Sequence, residues 1–427
     1  MPTASLTSLA VVLATAFAVR LALGLVPRLR VPGVVLEIVA GIIIGPAVLG
    51  WARADQPVVL LATLGVTFLL FLAGLEVDLS QYRGAVARSA GTGFLVSIVL
   101  AVAVGEGLAA VGVVRNPLLI AVALTATSLG LVVPVLGEAG ATATPLGRLV
   151  LASASLGDVG AVLALSLLFS RDTSTTSTRV VLLAVFALAV VVLGASVMRA
   201  GRSTRIGVVL VRMQDTSAQI RVRGALVLLV GLVVLAEHTG LETILAAFVA
   251  GAVVGFIDRD EMGTHPLFRV KLDAVGHGFL VPIFFVTSGV RFDLRALTDH
   301  PAVLARVPLF AAALLVVRGL PALLYWAQLG RRQVIAAGLL QATSLPFLVT
   351  AAMIGSEIGA LTSANAAALV AAGLLSGLVF PVVAVSLLRG SDAATPAAAA
   401  TFDAHAGAGP APTVPTDAST DRLPAGS

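Results

Sequence analysis

Cysteine is absent from this 427-residue chain, and histidine occurs five times at no ligand spacing. Disulfides, thiolate metal sites and cysteine nucleophiles are thereby excluded, and nothing can be read about redox compartment. Charge is scarce too: Asp, Glu, Lys and Arg make up 11% of residues, against roughly 25% in soluble domains. Aromatic residues contribute only 5%. The net charge of +5 and pI near 10.8 do not mark a nucleic-acid binder, because the arginines are scattered between apolar segments instead of forming one basic face.

What fills the chain is apolar. Hydrophobic residues make up 58% and the mean hydropathy is +1.06, values of a polytopic membrane protein. A helix needs about 20 apolar residues to cross a bilayer. About thirteen such stretches follow one another, beginning near Leu6, Val34, Val58, Gly91, Leu118, Leu149, Val180, Ala225, Ile244, Val275, Val303, Val334 and Ala366. The first is read as a mature helix, since no positive charge precedes it and Arg20 lies within it. Thirteen crossings with the N-terminus outside leave 18 Lys and Arg on the inner side and 7 on the outer, which favours a cytoplasmic C-terminus in the cell membrane. Residues 1–390 form the expected transmembrane unit. Residues 391–427 are rich in Ala, Pro, Thr and Gly and are expected to be a disordered cytoplasmic tail.

The two halves of the chain repeat one pattern. AGIIIG at Ala40 to Gly45 returns as AGAVVG at Ala250 to Gly255; LAGLEVDL from Leu72 returns as TSGVRFDL from Thr287; ATSL at Ala126 returns at Ala342. Ordered matches at a nearly constant offset divide the chain into five-helix repeats at about 32–170 and 242–388. Corresponding members are seven helices apart, so the repeats run in opposite directions across the membrane. The expected fold is all-α, with two inverted five-helix repeats whose broken helices cross.

Both ATSL segments set Thr and Ser at mid-membrane beside a breaker, Gly130 and Pro134 in the first and Pro346 in the second. Breakers free backbone groups that can coordinate an ion, and paired broken segments indicate a midplane site. Thr127, Ser128, Thr343 and Ser344 are its candidate ligands. Single Thr or Ser residues also bond backward within helices, so their geometry decides between the two roles. Asp158 lies in the apolar run from Leu149 to Phe169 with Ser155 one turn earlier. A carboxylate at membrane depth costs about 2.5 to 3.5 kcal/mol on insertion scales, which makes it a functional residue by default. With hydroxyls and free carbonyls nearby it suits a monovalent cation or a proton. Arg318 interrupts the run from Leu309 to Trp326 and is a permanent charge, suited to compensating the site or to snorkelling. Glu37, Glu76 and Glu106 are further acids on a possible proton path, with interfacial or structural placement as the alternative.

PGVVLEIVAGIIIGPAVLG from Pro32, LLFLAGLEVDL from Leu69, TATSLGLVVPVLGEAG from Thr125 and PIFFVTSGVRFDL from Pro282 resemble the monovalent cation:proton antiporters, in the branch of sodium/proton exchangers and potassium efflux systems. The resemblance spans about Pro32 to Leu388. It implies exchange of Na+ or K+ for H+, a core with two crossing broken helices working against a dimerisation domain in an elevator-like cycle, a homodimer, and no organic cofactor. It also maps Asp158 onto the essential aspartate and Arg318 onto a buried basic residue. Gly157 stands where relatives carry Asp, Asn or Gln, and Ser344 lies near a glutamate of efflux members, which leaves the cation open. If Asp158 alone cycles, exchange is electroneutral. The rival readings are a sodium-coupled organic anion carrier, with Arg318 holding the anion, and an ion channel. A hydrolase is disfavoured, because the spans hold no Ser-His pair, paired Asp or HExxH motif.

Overall fold

The computed structural model describes residues 6–26, 31–76, 84–169, 219–239, 242–260, 266–298 and 301–389. Among them the regular structure is entirely helical. Nine segments are long and apolar enough to cross a membrane, and Gly33–Ile44 and Thr243–Asp258 are shorter apolar helices. Together with Ile220–Thr239, these account for twelve of the thirteen expected stretches. The stretch near Val180 and the tail after Arg389 lie outside the described residues. The protein is an all-α, multi-span membrane protein.

The helices used below are α1 (Thr7–Leu25), α2 (Gly33–Ile44), α3 (Gln56–Glu76), α4 (Gly84–Ala110), α5 (Pro117–Thr125), α6 (Leu129–Glu138), α7 (Pro145–Phe169), α8 (Ile220–Thr239), α9 (Thr243–Asp260), α10 (Pro266–Val275) and α11 (Val281–Val290). They continue with α12 (Arg306–Leu314), α13 (Arg331–Gln341), α14 (Pro346–Glu357) and α15 (Ser363–Arg389). Wider π turns occur at Gly276–Leu280, joining α10 to α11, and at Leu315–Gly319, directly after α12.

Between apolar helices in lipid there is little hydrophobic drive to associate, so close backbone approach through small residues holds them. Two such contacts dominate the packing and mirror each other. Gly41 of α2 lies against the Val286 carbonyl of α11, while Gly289 of α11 lies against the Ile38 carbonyl of α2. Gly251 of α9 lies against the Phe71 carbonyl of α3, while Gly74 of α3 lies against the Phe248 carbonyl of α9. At all four positions a Cβ would run into backbone. In terms of the sequence matches, Gly41 corresponds to Gly251 and Gly74 to Gly289, so each contact joins the first segment of one half to the second segment of the other.

Two membrane segments are interrupted at the sequence matches. The first runs as α5, an extended stretch at Ala126–Ser128, and α6; the second runs as α13, a stretch at Ala342–Leu345, and α14. Pro117 starts α5 beside the capping Asn116, whose side chain accepts from the Leu119 N–H, and Pro346 starts α14. These are the positions where the missing proline N–H removes no helical bond. The first interruption precedes Gly130 and Pro134, which both lie inside α6. Pro134 instead withholds the N–H that would meet the Gly130 carbonyl.

Candidate functional site

The two interruptions meet. The Ser128 N–H donates to the Thr343 carbonyl at 2.9 Å, and the Thr127 hydroxyl donates to the Gln341 carbonyl at 2.7 Å. Thr127, Ser128, Thr343 and Ser344 are all buried. Backbone groups freed by a broken helix are tolerated at membrane depth only when protein or water supplies partners, and here each break supplies the other. The match is not symmetric at the next residue: the Ser344 N–H donates to the Ser376 hydroxyl of α15 at 3.2 Å, and that hydroxyl donates back to the Ser344 carbonyl at 2.9 Å. The Thr343 hydroxyl bonds backward to the Leu339 carbonyl. The Ser344 hydroxyl is fully buried and has no hydrogen-bond partner among the described residues.

Asp158 of α7 reaches this crossing. Its Oδ1 accepts the Thr127 backbone N–H at 3.2 Å, and the Leu129 N–H at the start of α6 is the second amide on the carboxyl. A helix N-terminus carries partial positive charge, so this is where a carboxylate is stabilised in a dry environment. The side chain is half-buried, unlike its neighbours Ser155 and Gly157, which are buried. Among the described residues, Arg318 and Glu76 are the charged groups near enough to act on it through space.

Arg318 is fully buried, and all three of its nitrogens are used. Nε donates to the Thr127 hydroxyl at 2.8 Å, Nη2 to the Ser153 carbonyl of α7 at 2.9 Å, and Nη1 to the Ser97 hydroxyl of α4 at 3.4 Å. No direct ion pair within 4.0 Å joins it to Asp158 among the described residues. The guanidinium ties α4, α7 and the first break together and acts on the carboxyl through Thr127. The π turn that carries it, followed by Pro321, departs from regular helical geometry where the charge must be aimed inward. Snorkelling is thereby set aside for this residue.

The other candidates separate. Ser155 lies one turn before Asp158 on α7. Glu37 is fully buried on α2 and pairs with Arg20 of α1 at 2.8 Å, away from the crossing. Glu76 ends α3, exposed. Glu106 sits on the exposed surface of α4, four residues from its end, and is not brought to the crossing. Thr127 was a candidate ligand through its hydroxyl, yet that hydroxyl bridges Arg318 and Gln341; the group it turns to Asp158 is its backbone N–H. Three residues here were not among the sequence candidates. Gln341 is fully buried and accepts from the Ser153 hydroxyl at 3.2 Å; Ser153 and Ser97 receive Arg318. The signal for Gln341 was present, as an amide beside ATSL in an otherwise apolar run.

Comparison with known proteins agrees with this architecture. The Bacillus subtilis putative Na+/H+ antiporter YjbQ is 29% identical over 393 residues, covering 88% of this chain and 62% of its own length, so the chain spans less than two thirds of that relative. The Methanocaldococcus jannaschii probable Na+/H+ antiporter 3 is 26% identical over 378 residues, covering 84% of this chain and 91% of its own. The Bacillus cereus Na+/H+-K+ antiporter GerN is 28% identical over 277 residues, covering 62% of this chain and 67% of its own. The solved sodium proton antiporter MjNhaP1 from M. jannaschii superposes with a TM-score of 0.62 at 16% identity, covering 90% of this chain and 98% of that one, and shares the fold. The family model described as sodium/hydrogen exchanger, transmembrane, matches residues 13–390, and the chain belongs to that family.

Proposed function

We propose that the protein exchanges protons for a monovalent cation, Na+ or K+, across the cell membrane, and that Asp158 binds the two alternately. The observation that carries this reading is the Asp158 carboxyl at the crossing of two broken helices, held by backbone amides instead of by an ion pair. A carboxylate locked to a guanidinium would resist both protonation and cation binding. One held by two amides keeps lone pairs for a cation and can accept a proton. Ser155 and backbone oxygens freed at the two breaks complete the cation's shell in this reading. Ser128, Thr343 and Ser344 frame it.

One proton then leaves for each cation bound. Arg318 keeps its proton, and Gly157 brings no second group, so exchange is electroneutral. Inverted repeats are supported by the mirrored glycine contacts of α2 with α11 and α9 with α3. The bonds among the two breaks, α7 and Arg318 favour these parts moving as one body in an elevator-type cycle, with the homodimer partner on the static side. The organic-anion alternative loses its main support, because the guanidinium it needs is fully buried and already bonded on every nitrogen. The N-terminus outside and the C-terminus inside remain the proposed orientation, and residues 1–390 the proposed transport unit.

The test is proton flux in proteoliposomes carrying an internal pH dye, with Na+, K+ and Li+ added in turn. Dye responses to at least one cation, saturable and absent from protein-free vesicles, are expected. Equal flux with every cation and with none would refute antiport.

A further inference from the structure

The position before Asp158 has a second meaning in three dimensions. A Cβ built on Gly157 would stand 2.8 Å from Nη2 of Arg318, 3.1 Å from its Cζ and 3.0 Å from the Thr125 carbonyl. Carbon does not approach so closely, and neither neighbour is free to withdraw. Thr125 is backbone, and the guanidinium is fully buried with three acceptors on three elements. Ser153, Gly157 and Gly160 fall at i, i+4 and i+7 on one face of α7. Ser153 receives Nη2 at its carbonyl, Gly157 faces Nη2 and Cζ of the guanidinium, and the Phe94 ring of α4 covers Gly160. The face is thus shaped to the arginine. A similar contact recurs on the first helix, where the half-exposed Arg20 guanidinium lies over Gly33 while bonded to the buried Glu37.

We infer that Gly157 is a positioning residue: it provides the space the Arg318 guanidinium occupies, so residues 157 and 318 form one coupled unit that sets Asp158 through Thr127. A side chain at 157 pushes Nη2 off the Ser153 carbonyl. Because the same planar group holds Thr127 through Nε, the displacement carries to the Thr127 backbone N–H that binds Asp158. Such a change weakens ligand binding at the carboxyl more than it slows the moving parts. The transport arm of this inference rests on the antiport reading; the coupling itself does not.

The experiment compares wild type, Gly157→Ala, Arg318→Lys and the double variant. Lysine lacks Nη2 and Cζ, the atoms a Cβ at 157 would meet, so alanine should be tolerated in its presence. In detergent, alanine at 157 is expected to lower the melting temperature by about 5 °C beside Arg318 and by little beside lysine. In proteoliposomes it is expected to raise the half-saturating cation concentration about tenfold beside Arg318, with a smaller change in maximal rate. Equal melting losses in both backgrounds would overturn the inference. Should alanine at 157 prevent folding outright, the coupling requires Arg318→Lys to restore it, and failure to restore it would also overturn the inference. If wild type moved no protons, the antiport reading would fall while the melting comparison still judged the Gly157–Arg318 pairing.

Discussion

Removing one hydroxyl from the crossing tests whether the clamp is real. In Thr127→Val the side chain keeps its shape, and the backbone N–H to Asp158 is untouched. What disappears is an oxygen that accepts from Arg318 Nε at 2.8 Å and donates to the Gln341 carbonyl at 2.7 Å, at a position only 1% exposed. Both partners are left without that bond where water cannot replace it. A buried group that loses its partner costs about 1–3 kcal/mol, so the two together amount to about 2–5 kcal/mol, the range narrowed from above because Arg318 retains Ser153 and Ser97. Thr127→Ser keeps the hydroxyl and should lose less than about 1 kcal/mol, chiefly one methyl. Thermal or denaturant unfolding in detergent of wild type and both variants measures this directly. If valine and serine melted alike, the hydroxyl would not be holding Arg318 and the second break together.

Other expectations follow from the same geometry. Gly74→Ile should prevent α3 from packing on α9, because the Cβ alone collides with the Phe248 carbonyl; yield of monodisperse protein on size exclusion reads this, and a normally folded variant would contradict it. Ser344→Ala should leave folding within about 0.5 kcal/mol of wild type, as expected where no bond is broken, since its hydroxyl has no partner among the described residues; any fall in cation affinity in flux assays would then assign that oxygen to the cation, and no fall would assign it to packing. Glu37→Gln should weaken the α1–α2 attachment and lower the melting temperature without changing the cation dependence of flux, because its partner is Arg20 and not the crossing. Transport by wild type should be insensitive to an imposed membrane potential, whereas a carrier moving one net charge would gain about 2.3 kcal/mol per 100 mV.

The sequence made most helices legible because a membrane helix is announced by length and apolarity alone; the exception is α10, whose Arg269, Lys271 and Asp273 precede the apolar run expected from near Val275. The short glycine motifs were legible too, and the structure gives their physical reason: backbone contacts at Gly41 and Gly74 admit no side chain. Asp158 stood out because a carboxylate is conspicuous in an apolar run. The partners of Arg318 did not. Ser97 and Ser153 are 221 and 165 positions from it in the chain, and nothing local marks a serine as the acceptor for a distant guanidinium. Gly157 was readable as a missing side chain, while its closeness to Arg318 depends on the π turn at Leu315–Gly319, which no residue pattern signals. The location of the first break was blurred for a related reason: the breakers Gly130 and Pro134 lie inside α6, while the chain leaves helical geometry ahead of both, at Ala126–Ser128.

The central claim is that one carboxyl alternates between a proton and a cation. Asp158→Asn keeps the volume and an oxygen facing the Thr127 N–H, but it can neither hold a proton for exchange nor carry the charge that attracts a cation. Purified wild-type and Asp158→Asn protein, reconstituted at equal density and checked for equal melting behaviour, would be compared for cation-driven proton flux. Robust flux from wild type and flux from the asparagine variant no greater than that of empty vesicles is the predicted result; wild-type flux from the asparagine variant would contradict the account.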